Sequence, residues 1–351
     1  MDAAISQNEL ALAARNHGLP LEALRYPITP VGLHYLLIHY DIPDVDVDAW
    51  SLGVEGHVGR PLALSLAELR ERPAHEVTST MECAGNGRAL LAPHVVSQPW
   101  LLEAIGTARW RGVRLKEILE EAELADDAVE IVFTGLDRGL EKGVEQNYQR
   151  SLALDDALGE DVLLAYEMNG APLLPQHGFP LRLLVPGWYG MPSVKWLTRI
   201  EPVTEPFHGY QMTNGYRFRL DEDDEGHPVT RIQPRALMVP PGIPDFDTRA
   251  RIVEAGPCLL EGRAWSGWAP VTRVQVSTDG GDTWADAELE PLGSRWGWRG
   301  WSYEWEAAER GEYVLCSRAT DEAGNFQPDD AVWNVGGYSN NALQRVPVTV
   351  Q

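Results

Sequence analysis

One of only three cysteines in the 351-residue chain, Cys83, stands in the stretch STMECAGNGR, ahead of Ala84, Gly85, Asn86 and Gly87. Small, turn-forming residues predict a tight bend there, with room left in front of the sulfur. Arg88, five positions on, would favour a partly exposed thiolate. Such a thiolate suits a nucleophile, or a soft-metal ligand whose metal draws its other donors from a cofactor. The plain alternative is a buried thiol beside an ordinary Asn-Gly turn. No Cys-x-x-Cys or Cys-x-x-Cys-His occurs, which removes the common zinc, iron–sulfur and covalent-haem patterns. Cys258 and Cys316 are expected to be free, buried thiols.

A second constellation is PQHGFPLRLLVPGWYGMPSVKW, residues 175–196, with His177, Arg182 and Lys195 among Gly- and Pro-rich turns. Arg and Lys held on rigid turns can bind phosphate through charge-assisted hydrogen bonds. Read alone, the same residues are equally compatible with scattered surface charges. The chain carries 29 Lys and Arg against 52 Asp and Glu, a net charge of −23. That balance argues against nucleic acid or an anionic membrane surface as partner, so any anionic ligand needs a local basic pocket. No apolar run reaches the roughly 20 residues that span a bilayer. The first residues carry no export signal, so a cytoplasmic protein is expected; an exported form with its leader removed would read the same.

These residues must be positioned by two kinds of texture. Up to residue 233 the pattern mixes short helices and strands. SLAELRERP predicts a helix opened by Ser65 and stopped before Pro73, and RLKEILEEAEL predicts a second. SLGVEGHV, AVEIVFTG, DVLLAYEMNG and FPLRLLVPG read as strands. An acidic run, LDEDDEGHP, and a proline-rich connection over 234–246 then mark a boundary. Beyond it, short strands broken by Asp-Gly, Gly-Gly and Ala-Gly-Asn turns predict a β-sandwich. The fold class expected is α+β: an irregular mixed domain over 1–233, then an immunoglobulin-like β-sandwich over 234–351.

MECAGNGR resembles the molybdenum-ligating motif of the sulfite oxidase family, usually Cys-Ala-Gly-Asn-Arg-Arg. TPVGLHYLLIHYDIP, PWLLEAIGTARWRGVRL, LLAYEMNGAPL, HGFPLRLLVPGWYGMPSVKWL, GRAWSG, VQVSTDGGDTW, WGWRGW and WNVGGYSNNALQRVPV are similar to family segments in the same order. The resemblance implies a molybdopterin-binding domain followed by a dimerisation domain, with one pterin on molybdenum and no haem in this chain. It implies that Cys83 gives the metal its one protein sulfur. His39, Asp137, His177, Arg182, Ser193 and Lys195 match cofactor-holding positions. Arg88, Trp100 and Tyr216 match the substrate pocket, and Arg299 is the candidate for a further arginine from the second domain.

The activity implied is oxidation of sulfite, or a related small sulfur anion, to sulfate by oxo transfer. Two electrons would leave to an external acceptor, a cytochrome, oxygen or another, and the protein would be a homodimer. Two positions depart from the pattern: Leu37 and Gly87 stand where family members carry arginines. Oxo transfer on another S- or N-oxide, and a cofactor-free binding protein, are the competing readings. The nitrate-reducing branch draws electrons through haem and flavin domains that this sequence does not contain.

Overall fold

The computed structural model describes residues 5–351. The first part of the chain builds two sheets. One runs in the order Leu62–Leu64, Leu52–Val54, Leu197–Val203, Glu130–Glu141 and Val144–Ala153. Its neighbours are antiparallel except Leu52–Val54 beside Leu197–Val203. The other runs His75–Glu82, Ile105–Arg114 and Leu163–Met168, with Ala171–Pro172 and Arg182–Leu184 both pairing to the last strand.

Two short helices close the core around these sheets. Leu66–Glu71 is opened by Ser65, whose hydroxyl accepts from the Glu68 backbone while Glu68 reaches back to Ser65. That reciprocal cap satisfies two amides a six-residue helix would otherwise leave open. Leu115–Glu121 follows strand Ile105–Arg114 directly. Leu66, Leu69, Leu115, Ile118 and Leu119 all turn into one apolar core with Phe133, Leu164 and Ile200. Both helices agree with the apolar spacing of the sequence.

Residues from Arg235 on form two facing sheets. The smaller comprises Arg235–Met238, Gly256–Trp265, Arg299–Ala307 and Glu288–Leu289. The larger comprises Ile243–Pro244, Arg251–Val253, Gln344–Val350, Gly311–Asp321, Val271–Ser277 and Ala285–Asp286. Trp301, Trp305, Leu260, Leu315 and Val348 fill the space between them. All three cysteines are free. Cys316 is buried as the sequence suggested, whereas Cys258 is half-buried, because it sits near the outer end of its strand.

The two parts share a core. Leu19, Leu24, Ala84, Tyr189 and Ile232 pack with Leu237, Trp265 and Trp298. At its centre lies an ion pair in full burial: Glu82 Oε1 is 2.9 Å from Arg235 Nε, with side chains 0% and 1% exposed. The Trp265 indole N–H donates to the other Glu82 oxygen at 2.8 Å. Glu82 immediately precedes Cys83, so the second part of the chain holds the base of the cysteine loop.

Candidate active site

Strand His75–Glu82 delivers Cys83 to a turn that is tied on every side. The Cys83 amide donates to Ala104 and the Asn86 amide donates to the Cys83 carbonyl. The Asn86 side chain donates to Glu82 at 3.0 Å and accepts from the Ala104 amide at 3.1 Å. Gly87 has φ +87°, a left-handed conformation that side chains adopt reluctantly. A Cβ there would press on Asn340, whose side-chain amide donates to the Gly87 carbonyl at 2.7 Å. Its departure from the family motif therefore has a local reason.

The thiol is buried, not partly exposed as the bend suggested. Tyr35, Met81 and Trp100 fill the space the glycines were expected to leave. Burial pushes the Cys83 thiol above its usual range, while Arg88 and the Trp100 side chain pull it back down.

Cys83 sits where two compartments meet. The first is lined by His34, His39, Asp137, His177, Arg182, Ser193, Lys195 and Tyr216. Burial depresses the cations and histidines here: Arg182 to about 10, Lys195 to about 7, His34 to about 4, and His39 and His177 to about 3. Burial also raises Asp137 to about 6. No salt bridge neutralises Arg182 or Lys195 among the described residues; their donors go to carbonyls and, from Arg182, to the Met81 sulfur. Lys195 Nζ donates to Leu37 at 2.9 Å and Gln176 at 3.1 Å. Arg182 donates to the His177 and Ser193 carbonyls and lies 4.8 Å from the Trp110 ring. His34 Nε2 is buried without a protein partner. Buried positive charge with only carbonyl acceptors is an arrangement that an anion would relieve.

The second compartment opens on the other side of Cys83, past Arg88, Trp100, Gln98, Glu141 and Tyr338. The Arg88 guanidinium donates from Nε to Gly336 at 2.9 Å and from Nη1 to Gln98 at 3.2 Å. It lies 5.1 Å from the Tyr338 ring on one side and over Gly85 on the other, where a Cβ would be 2.5 Å from Nη2. Tyr216 divides the compartments; its hydroxyl is 2.7 Å from His39 Nε2. Depressed to about 3, His39 is neutral and can accept that proton. Behind the ring, the buried Arg150 guanidinium lies 5.3 Å from its centroid.

Among the described residues, no group of three or more His, Cys, Asp or Glu is placed to hold a metal ion unaided. A metal at Cys83 would have one protein sulfur and need its other donors from a cofactor. A thiol, buried cations and an imidazole with one free ring nitrogen suit an anionic, sulfur-rich metal cofactor.

Comparison with known proteins decides which. The family model described as "Oxidoreductase molybdopterin binding domain" matches residues 39–211, and "Mo-co oxidoreductase dimerisation domain" matches 244–351. The chain belongs to the sulfite oxidase family of molybdopterin oxidoreductases. Mitochondrial sulfite oxidase of Mus musculus is 37% identical over 341 residues, covering 92% of this chain and 62% of that protein. The nitrate reductase [NAD(P)H] of Hordeum vulgare is 35% identical, covering 92% of this chain and 39% of its own length. The crystal structure of the sulfane dehydrogenase SoxCD from Paracoccus pantotrophus superposes with a TM-score of 0.81 at 25% identity. It covers 95% of this chain and 86% of that one. The cofactor this domain binds is molybdenum on molybdopterin, and the chain spans less than two thirds of the length of the Mus musculus sulfite oxidase.

The structure brings together His39, Cys83, Arg88, Trp100, Asp137, His177, Arg182, Ser193, Lys195 and Tyr216 around these two compartments. It does not bring Arg299 there. That side chain lies on the β-sandwich and donates to the Glu290 and Val271 carbonyls at 2.6 and 2.9 Å. A WGWRGW motif does not say which sheet face looks toward the neighbouring domain. Sequence reasoning missed His34, Arg150, Gln98, Gln211, Glu141 and Tyr338. The one usable signal was Arg150, a charge inside the alternating strand NYQRSLA.

Proposed function

We propose that this chain is an oxidase or dehydrogenase of small sulfur oxyanions: sulfite, or a related sulfur acid, gains an oxygen atom and releases two electrons to an external acceptor. The observation that carries the reading is Cys83 at the junction of a cation-rich cofactor compartment and a separate compartment containing Arg88. The protein would work as a homodimer through the β-sandwich that begins near residue 234, with a cytochrome or another one-electron carrier as acceptor. Sulfite oxidases among its relatives support the substrate class.

When bound, the molybdenum cofactor supplies oxygen-atom transfer and two-electron redox chemistry. The chain supplies placement and charge. Cys83 would ligate the metal through sulfur. His177, Arg182, Ser193 and Lys195 would hold the pterin and its phosphate, which gives Lys195 the partner that favours its protonated form. Arg88 would draw the substrate anion toward Cys83 with the donors its carbonyl bonds leave free. Tyr216 would be held by its hydrogen bond to neutral His39, and Trp100 and Tyr338 exclude water.

Metal analysis and substrate reduction test this together. About one molybdenum per chain, with sulfite or a related sulfur acid reducing the oxidised enzyme, is expected. Protein that stays metal-free in a cofactor-making host would refute it. Reoxidation of reduced enzyme by an S- or N-oxide, without reduction by any sulfur acid, would reverse the direction of transfer.

A further inference from the structure

The compartment on the Arg88 side has the wrong dimensions and charge for a small dianion. It encloses about 340 Å³, and Leu12, Leu37, Trp100, Leu140 and Tyr338 supply the apolar part of its wall. An anion of sulfite's size would leave most of that apolar surface unfilled, forgoing its burial.

The charge count points the same way. Arg88 is the one cation lining this compartment, and Glu141 lines it too. The Glu141 carboxylate accepts from the Tyr40 hydroxyl at 3.2 Å and from the Gln211 side-chain amide at 2.8 Å. Arg150 is screened behind the Tyr216 ring, with Nη1 bound to the Gln211 carbonyl. Arg15 is exposed and bound to the Tyr40 carbonyl, outside the lining. Two of the Arg88 nitrogens already donate to carbonyls, and among the described residues no protein group accepts from Nη2. One free guanidinium edge, in a lining that also carries a carboxylate, can pair with one negative charge but has nothing to hold a second. The −23 of the whole chain weighs on a dianion twice as heavily as on a monoanion.

Resting on the sulfur-oxyanion reading, we propose that the substrate is a monoanionic organic sulfinate, R–SO2−, oxidised to the sulfonate. A sulfinate keeps the sulfur lone pair that oxygen transfer requires, carries one charge for Arg88, and places an apolar R group against Leu37, Leu140 and Tyr338. The balance is R–SO2− + H2O → R–SO3− + 2 H+ + 2 e−. One S–O bond forms from the sulfur lone pair, the C–S bond is untouched, and both protons reach solvent. The electrons leave one at a time to a one-electron acceptor, a haem protein in the cell or ferricyanide in the assay.

The test uses the molybdenum-loaded enzyme with ferricyanide at alkaline pH, where sulfite carries both charges. The kcat/KM for benzenesulfinate should exceed that for sulfite by roughly tenfold or more, about the worth of burying part of the phenyl ring. Methanesulfinate should fall between them. Calorimetry on the oxidised enzyme gives an independent readout: benzenesulfonate should bind about tenfold more tightly than sulfate, and Glu141→Gln should narrow that gap. Preference for sulfite and sulfate, or a gap unmoved by Glu141→Gln, would overturn the sulfinate assignment and leave the sulfur-oxyanion reading standing. Enzyme reduced by neither sulfite nor either sulfinate would overturn the reading beneath it.

Discussion

The two compartments that meet at Cys83 treat charge in opposite ways. On the Lys195 side, Arg182, Lys195 and three histidines are desolvated, every one held below its ordinary pKa, and Asp137 is the one carboxylate lining them. On the Arg88 side, a single guanidinium is bonded to carbonyls, stacked on Tyr338 and faced by Glu141. The first side is an incomplete electrostatic arrangement that a multiply charged anion completes. The second is close to balanced before anything binds. A buried cation without a carboxylate thus marks where a highly charged ligand belongs, and its absence next door limits what charge the neighbour can take.

Cys83→Ser should have the largest effect on this contrast, because it removes the sulfur both compartments share. Turnover should be abolished while circular dichroism shows an intact fold. Acid comes next. In the cofactor-free protein His34, His39 and His177 titrate near 4, 3 and 3 instead of 6.5. Below pH 6.5 the unfolded chain therefore takes up protons that the folded chain refuses, so stability falls as pH drops toward 4. Each histidine contributes up to about 1.4 kcal/mol per pH unit. Urea midpoints across that range should show the slope, and His177→Asn should make it shallower.

Arg235→Ala leaves Glu82 buried without its partner and should cost about 3–5 kcal/mol. A lowered Tm with loss of bound molybdenum is the expected result. Lys195→Met acts in opposite senses on the two forms. Cofactor retention should weaken roughly tenfold or more as a phosphate partner disappears. The cofactor-free protein should lose no stability at neutral pH, because Lys195 is held near 7 by desolvation and its charge costs energy there. Molybdenum content after gel filtration and thermal melts of both forms check this. Leu37→Arg should have the smallest effect, adding a cation to both linings and tightening sulfite binding roughly tenfold. An unchanged KM would show that the new side chain turns away.

Local physics was legible in the sequence: the bend after Cys83, the Ser65 cap, and the apolar faces of Leu66–Glu71 and Leu115–Glu121. The ordered blocks pointed to the family and to ten of the residues that line the two compartments. What stayed hidden depended on contacts between distant segments. Tyr216 reaches His39 from a loop where its own φ is +54°, which no spacing rule anticipates. The Cys83 thiol looked open because its neighbours are small, yet Trp100 and Tyr35 arrive from elsewhere to cover it. Arg299 was misplaced because two sheet faces share one alternating pattern. No spacing rule pairs Glu82 with Arg235, which the fold buries together.

The turn around Cys83 also carries an instruction about timing. Glu82 is gripped by Arg235, the Arg88 guanidinium is fixed by the carbonyl of Gly336, 248 positions later, and Gly87 is held by Asn340, 253 positions later. The segment around Cys83 therefore cannot reach its final shape until Arg235, Gly336 and Asn340 are in place, so folding of this turn is tied to folding of the β-sandwich.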